Sequence, residues 1–494
     1  MHKPVPLSPT RSVITSVLAD TDKHFIDKIN SELAAGRVRG PFESLPDYVK
    51  VSPLYVIPKS TPGKFRLIHN LSSPRGKSVN ECIDPNMRSV SYCRCLDVAA
   101  FLSAKPESEV WYMAKVDMKD AYRCVPVYPG DWKYLGMRYK DKYFVDTCLP
   151  MGCASSCFLF QSISDAIAWM FERNNPDCKC FNYLDDFLIL ADSNDRCKHA
   201  LDCFVAMLEF LGFPVSHEKT IPPGTEVEFL GLTINSCNLS FSVPDQKRLK
   251  TMTQISHFVS KSSQRVHCIQ KMVGKLTFLC ATFLAGRCLL ASLHEQLRGV
   301  LSSEGWYWRR VTKDIKADLR VWYQFLEQSQ CKPFRFLYPT SEPAYVVETD
   351  ASSYGFGAVM GARWFSGRWH SQWWTDKHIT LLELYPIYVA LHLWTEELSN
   401  NTILIRTDNS SLVSILTRFY SRNSLVNTLV KKCVFLLLKN NVVLRVNHIP
   451  GKDNVAPDRL SRGLDCSELL DPQGQCSLPS CLLPANSRNM FTTL

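Results

Sequence analysis

Hydrophobic and polar positions change period several times along the chain, and those changes divide it. Behind a Pro-rich start (MHKPVPLSPTRSV), Phe25, Ile26, Ile29 and Leu33 recur on one helical face. This predicts a helix from Thr21, as its cap, to Gly36, which stops it. Over residues 51–240 short β-type runs alternate with helical ones, the pattern of a mixed α/β domain. From Asp245 to Leu301 the period turns helical, in RLKTMTQISHFVSK and QKMVGKLTFLCATFLAGRCLLASLHEQL. A stretch carrying Trp306, Trp308, Arg309 and Arg310 follows.

A second α/β block then opens. AYVVETDA, YGFGAVM and ARWFSGRWHS read as three strands, followed by a helix from Leu381 to Leu398. A strand TILIRTD, more helix, a strand VVLRVNH and a short last helix complete a βββαβαβα order. The expected division is an extension with one helix (1–50), an α/β block (51–240), a helical block (241–301), a connecting stretch (302–342), the second α/β block (343–462) and a tail (463–494). The tail is rich in Ser, Pro, Cys and Asn, which predicts disorder. The chain shows no internal repeats.

Composition changes this picture little. Apolar residues make up 46% and charged residues 21%, which excludes a disordered or fibrous chain. The net charge of +10 fits a polyanionic partner without requiring one. The chain has 20 cysteines, but Cys153, Cys157, Cys280, Cys288 and Cys433 lie in apolar runs and none forms a Cys-x-x-Cys pair of zinc spacing. Buried free thiols in a reducing compartment are expected. With no apolar signal core and no membrane-length apolar run, an intracellular protein is expected, cytoplasmic, nuclear or both, without a membrane partner.

Candidate chemistry begins in FNYLDDFLIL, where apolar runs flank Asp185 and Asp186 and place both at the turn of a buried hairpin. Half-buried carboxylates cost several kcal/mol each unless something compensates their charge. In KVDMKDAY, Asp117 ends a β-type run that starts at Trp111. Brought together, the three acids could hold two Mg²⁺ ions, the clamp of nucleotidyl transfer. Alone, an Asp-Asp pair in a turn is as well explained by turn chemistry, and Asp117 by a solvated strand end.

KVDMKDAY, LPMGCASSCFLFQ and FNYLDDFLIL, in this order, resemble the polymerase motifs of retroelement reverse transcriptases, with Tyr183-Leu184-Asp185-Asp186 as their signature. PKSTPGKFRLIHNLS looks like the fingers segment, and LGFPVSHEKT and VEFLGLTI like the segments beyond the catalytic hairpin. FRLIHNLSSPRGKSVNECI and GKLTFLCATFLAGRCLLASL are similar to the tyrosine-recombinase retrotransposons of the DIRS and Ngaro type.

The resemblance implies a right-hand polymerase, with fingers and palm over 51–240, thumb over 241–301 and a connection over 302–342. It makes Asp117, Asp185 and Asp186 metal ligands, and puts Lys59 and Arg66 over the incoming triphosphate. Asp120, Ala121 and Tyr122 would line the nucleotide site, with Tyr122 as a steric gate against a 2′-hydroxyl. Met151 and Gly152 would pack on the nucleotide, where retroviral enzymes often carry glutamine in place of Met151. Gln161 and Tyr183 would meet template or primer, and Phe229, Leu230 and Gly231 would form the primer grip. Lys219 falls at the place of a general acid for pyrophosphate; an ordinary surface lysine explains it equally well.

In the second block Asp350 (VVETDAS), Glu383 (TLLELYP), Asp408 (LIRTDNS) and Asp458 (KDNVAPDRLSR), set in that βββαβαβα order, resemble the ribonuclease H family. The likeness implies a metal-binding quartet and makes His448 the loop histidine that assists product release. Pro386 falls inside the helix of Glu383, where a proline removes a hydrogen bond at about 3 kcal/mol, and Pro457 precedes Asp458.

The family's expected ions are two Mg²⁺ per site, with Mn²⁺ as a substitute. Its expected partners are an RNA template, a DNA primer, an RNA–DNA hybrid, deoxynucleoside triphosphates and other proteins of the same element. Two other readings stay open: a decayed or repurposed copy that only binds nucleic acid, and a plain ribonuclease H with an unrelated N-terminal region.

Overall fold

The computed structural model describes residues 19–58, 65–106, 109–280, 284–300, 305–328, 334–335, 342–369, 374, 377–479 and 482. The chain forms two compact units, Met1–Val98 with Lys105–Leu230, and Ala99–Ala104 with Gly231–Leu494.

The first unit begins with helix α1 (Ala19–Ala34), which contains Thr21 rather than being capped by it. Phe25 and Ile29 pack on Val38, Met137, Tyr139 and Phe144. Ile26, expected on that buried face, is 44% exposed, because the apolar stripe is narrower than the spacing suggests. Gly36 ends the turn at φ +69°, as expected of a helix stop. Strand β1 (Val38–Phe42) pairs antiparallel with β6 (Lys142–Asp146), which pairs with β5 (Gly136–Tyr139). A separate hairpin joins β2 (Leu54–Pro58) to β3 (Phe65–His69).

The central sheet of this unit is antiparallel throughout. Its order is β9 (Ile221–Gly224), β4 (Tyr112–Asp117), β8 (Asp186–Ala191), β7 (Lys179–Tyr183). Phe187 to Ala191 are all fully buried, so β8 reads as a continuous apolar run. Helices α2 (Ser156–Asn174) and α3 (Asn194–Phe210) supply Phe160, Phe171, Phe204 and Leu208 to the same core.

In the second unit, the antiparallel strands Leu232–Asn235 and Ser240–Ser242 are followed by helices α4 (Asp245–Val259), α5 (Val266–Leu279), α6 (Ala291–Leu297) and α7 (Lys313–Gln328). A two-stranded ribbon, β10 (Ser263–Arg265) with β11 (Trp308–Arg310), interrupts them. A five-stranded sheet follows, ordered β14 (Arg363–Arg368), β13 (Gly355–Met360), β12 (Tyr345–Ala351), β15 (Thr402–Thr407), β16 (Val443–His448). The first three strands are antiparallel, and β12, β15 and β16 are parallel.

Helix α8 (Ile379–Leu393) packs on this sheet, buried on almost every side from Thr380 to Leu391. It runs through Pro386 without a break, so the expected loss of one hydrogen bond does not end the helix, whose surrounding turns are buried. Helices α9 (Ser410–Arg418), α10 (Ser424–Lys439) and α11 (Val455–Ser461) complete the block. Pro457 is the third residue of α11, in the first turn where its missing N–H matters least. Between α7 and α10, the Lys431 ammonium reaches the fully buried Asp318 at 2.6 Å, and Ser292 donates to the other oxygen at 2.6 Å.

The tail departs from the expected disorder. Its described part, residues 463–479 and 482, packs on the sheet of the second unit. Trp364 Nε1 donates to the Asp471 carbonyl at 2.8 Å, and Cys476 N donates back to Trp364 O at 2.8 Å. Tyr385 Oη donates to Leu482 O at 2.7 Å. A few ring N–H and O–H donors, far away in sequence, order a segment whose own composition suggests none.

Candidate active sites

In the first unit, the β4 and β8 register sets Asp117 directly opposite Asp186. Leu184 and Asp185 form the two-residue turn between β7 and β8, and Leu184 takes φ +53°, rare for a side chain of that size. Helix α2 holds Leu184 at both its backbone polar groups. Leu184 N donates to Gln161 Oε1 at 2.9 Å, and Ser164 Oγ donates to Leu184 O at 2.8 Å. Asp165 in turn accepts from Gln161 Nε2 and Asn182 Nδ2, each at 2.7 Å. Met118 N donates to Asp185 O at 2.9 Å, tying the turn to the end of β4.

The electrostatics follow from this crowding. Burial raises the Asp185 carboxyl above its usual range, and the neighbouring charges of Asp186 and Asp117 raise it further. Lys219 donates to both oxygens of Asp117, at 2.5 and 3.1 Å, and Lys115 reaches Asp186 at 3.2 Å. The hydrogen bond to Asp117 holds the Lys219 ammonium above its ordinary pKa. Among the described residues no three His, Cys, Asp or Glu side chains are placed to grip a metal ion as they stand. The acids are nevertheless on adjoining backbone positions, with lysines supplying the counter-charge that clustered carboxylates need.

The other expected residues of this site are spread around it. Tyr122 is half-buried, packs edge-on to Phe160 and donates to Cys157 Sγ at 3.2 Å. Burial, followed by that bond, raises its hydroxyl pKa. Asp120 adopts φ +56°, and Ala121 is buried. Tyr183 lies against Tyr92, ring centres 4.6 Å apart. Met151 is 41% exposed, and its carbonyl accepts from His69 N at 3.2 Å. At Gly152, with φ +122°, a Cβ would lie 2.1 Å from the His69 carbonyl, so only glycine fits. Asn80 clamps the same loop, donating to Gly152 O and accepting from Ala154 N, both at 2.8 Å.

Phe229 is fully buried, while Leu230 and Gly231 have φ +49° and +81°. Lys59 lies outside the described residues, and Arg66 is described only by its backbone position in β3, opposite Ile57. Sequence reasoning missed Lys115, Ser164 and Asn80. The first two carried a signal: Lys115 is two residues before Asp117 on one strand face, and Ser164 three after Gln161 on one helix face.

In the second unit the four expected acids share one end of the sheet. Asp350 sits on β12, Glu383 on α8, Asp408 just after β15 and Asp458 on α11. Ser461 donates to Asp350 at 2.6 Å, Thr407 to Glu383 at 3.4 Å, and Arg462 to Asp458 at 2.8 Å. Burial and then the charge of Asp408 push Glu383 up to about 7. Asp350 is raised by burial too, with Asp408 and Asp458 adding to it. His448, at the exposed end of β16, is 3.0 Å from the Asp408 carbonyl.

Residues 57–234 match the family described as reverse transcriptase (RNA-dependent DNA polymerase), a stretch that lies within the first α/β block. Among curated proteins, the Gag-Pol polyprotein of avian reticuloendotheliosis virus is 26% identical over 255 residues, 50% of this chain and 20% of that polyprotein. Protein P of woodchuck hepatitis B virus is 27% identical over 150 residues, 30% of this chain and 17% of that protein. The chain thus spans about a fifth or less of these relatives.

Among solved structures, a foamy viral protease-reverse transcriptase in complex with dsDNA aligns at TM-score 0.53 and 15% identity, covering 90% of this chain and 86% of that one. The same enzyme in complex with an RNA/DNA hybrid aligns at TM-score 0.50 and 15% identity, covering 90% of this chain and 56% of that one. At such identity the likeness is one of fold, a mixed α/β architecture. No helix among the described residues is long and apolar enough to cross a membrane.

Proposed function

We propose that the chain is an RNA-directed DNA polymerase with ribonuclease H activity, encoded by a retroelement of the tyrosine-recombinase type. The observation that carries the polymerase reading is the pairing of Asp117 with Asp186 across two strands, with Asp185 in the adjoining turn. Residues 51–240 would then be fingers and palm, 241–301 thumb, 302–342 connection and 343–462 nuclease.

Asp117, Asp185 and Asp186 would hold divalent cations, Mg²⁺ or Mn²⁺. When bound, such ions activate a primer 3′-hydroxyl and stabilise the leaving pyrophosphate. The chain's own residues set the stage for this. Gln161 and Ser164 hold the acid-bearing turn in its left-handed conformation, and Lys219 balances the charge of Asp117. Tyr122, packed between Phe160 and Cys157, presents a rigid ring whose bulk selects deoxynucleoside triphosphates. Template RNA and primer DNA would meet the surface around Tyr183 and the turn at Phe229, Leu230 and Gly231. Asp350, Glu383, Asp408 and Asp458 form the second cation-binding set, for cutting the RNA of the hybrid, with His448 beside it.

Primer extension on an RNA template tests the first assignment. Asp185→Asn should abolish incorporation, and equal extension by both proteins would overturn the reading. For the second, Asp350→Asn should stop cutting of a labelled RNA–DNA hybrid while extension continues. Cutting that survives the change would place the nuclease elsewhere.

A further inference from the structure

Five consecutive residues, Trp306 to Arg310, stand exposed on the second unit: three large aromatics and two arginines. Trp306 is 63% exposed and Trp308 59%. Soluble surfaces seldom present rings in such a row unless something binds there. The segment is also firmly held. β11 is paired to β10 through Ser263↔Arg310, Gln264↔Arg309 and Arg265↔Trp308. Val266 N donates to Tyr307 O at 2.8 Å, and Val311 N to Ser262 O at 2.9 Å. The buried side chains of Gln264, Val266 and Val311 anchor it from below.

The rings are preorganised as well. Trp306 and Tyr307 stack with centres 4.0 Å apart, and the Arg265 guanidinium lies 5.4 Å from the centre of Trp308. Strand alternation puts Trp308, Arg310 and Arg265 on one face of the ribbon. Among the described residues none of Arg265, Arg309 and Arg310 is paired with a carboxylate.

We infer that this ribbon is a landing surface for single-stranded nucleic acid, bases stacking on the exposed rings and Arg265 and Arg310 meeting phosphates. Unpaired cations around the rings call for a polyanion, which disfavours an ordinary apolar protein partner. Exposed ring faces call for unstacked bases, which a duplex does not offer and a single strand does. The inference goes beyond the polymerase reading and does not depend on it.

The test uses the full chain carrying Asp185→Asn, with labelled oligo(dT), oligo(rU) and a duplex of about 20 nucleotides as probes. Adding Trp308→Ala with Arg310→Ala should weaken single-strand binding by about tenfold or more and leave duplex binding within about twofold. The pair Trp308→Phe with Arg310→Lys should restore most of it. The two oligomers distinguish DNA from RNA as the strand bound. A strand substituted with 4-thiothymidine should cross-link to the tryptic peptide containing Trp306 and Trp308. Unchanged single-strand affinity together with cross-links only elsewhere would overturn the inference. Equal loss on duplex and single strand would overturn it too, as would a loss confined to association with another protein.

Discussion

Ser164 shows how one hydroxyl can govern a distant carboxylate. It is fully buried, and its Oγ donates to Leu184 O, the carbonyl beside Asp185. Removing it leaves that carbonyl short of a donor, worth about 1–3 kcal/mol for a buried group. Ser164→Ala should therefore slow primer extension about tenfold with modest loss of melting temperature. Ser162→Ala, on the exposed side of the same helix, should change neither; equal effects from both would deny Ser164 a positioning role. The meeting of Asp117 with Asp186 was legible only from their motifs taken together, because turn chemistry or a solvated strand end explains each motif alone. Their partners were not: Lys219 reaches Asp117 across a separation of 102 residues, and no local pattern encodes such a meeting.

Among the elements, α1 is secured by charge as well as by Phe25 and Ile29. Glu32, only 2% exposed, accepts from Arg37 at 2.9 Å and from Arg123 at 3.0 Å, and Arg123 also reaches Asp146 at 2.6 Å. Burial alone would raise the Glu32 carboxyl, but Lys28, Arg123 and Arg37 together bring it below its ordinary value of 4.5. A lowered folded pKa stabilises above the unfolded value and loses that contribution as pH falls through the folded one. Glu32→Gln should accordingly weaken the first unit at pH 7 by about 3 kcal/mol and flatten its melting temperature below about pH 4.5. Parallel pH curves for the two proteins would refute this linkage. The helix itself was legible from its spacing, but this network was not, since its members come from separate segments. Pro386 teaches the reverse. Local propensity counts a proline inside a helix as unfavourable, and the burial of nearly all of α8 outweighs it.

At the scale of the whole molecule, the order of the second α/β block followed from alternation alone, βββ then helices and strands in turn. The fate of the tail did not, because Trp364 and Tyr385, which order it, lie up to 107 residues away. The buried pair of Lys431 and Asp318 has a practical consequence for anyone dividing the gene. A fragment beginning at Glu342 would leave the ammonium of α10 stranded above an empty seat, whereas one beginning at Lys313 keeps its carboxylate. Losing one member of such a pair costs about 3–5 kcal/mol, so thermal melts should find the shorter fragment markedly less stable. Keeping the Ser292 hydroxyl on that carboxylate as well moves the seam for excision ahead of α6, well upstream of the first strand of the sheet.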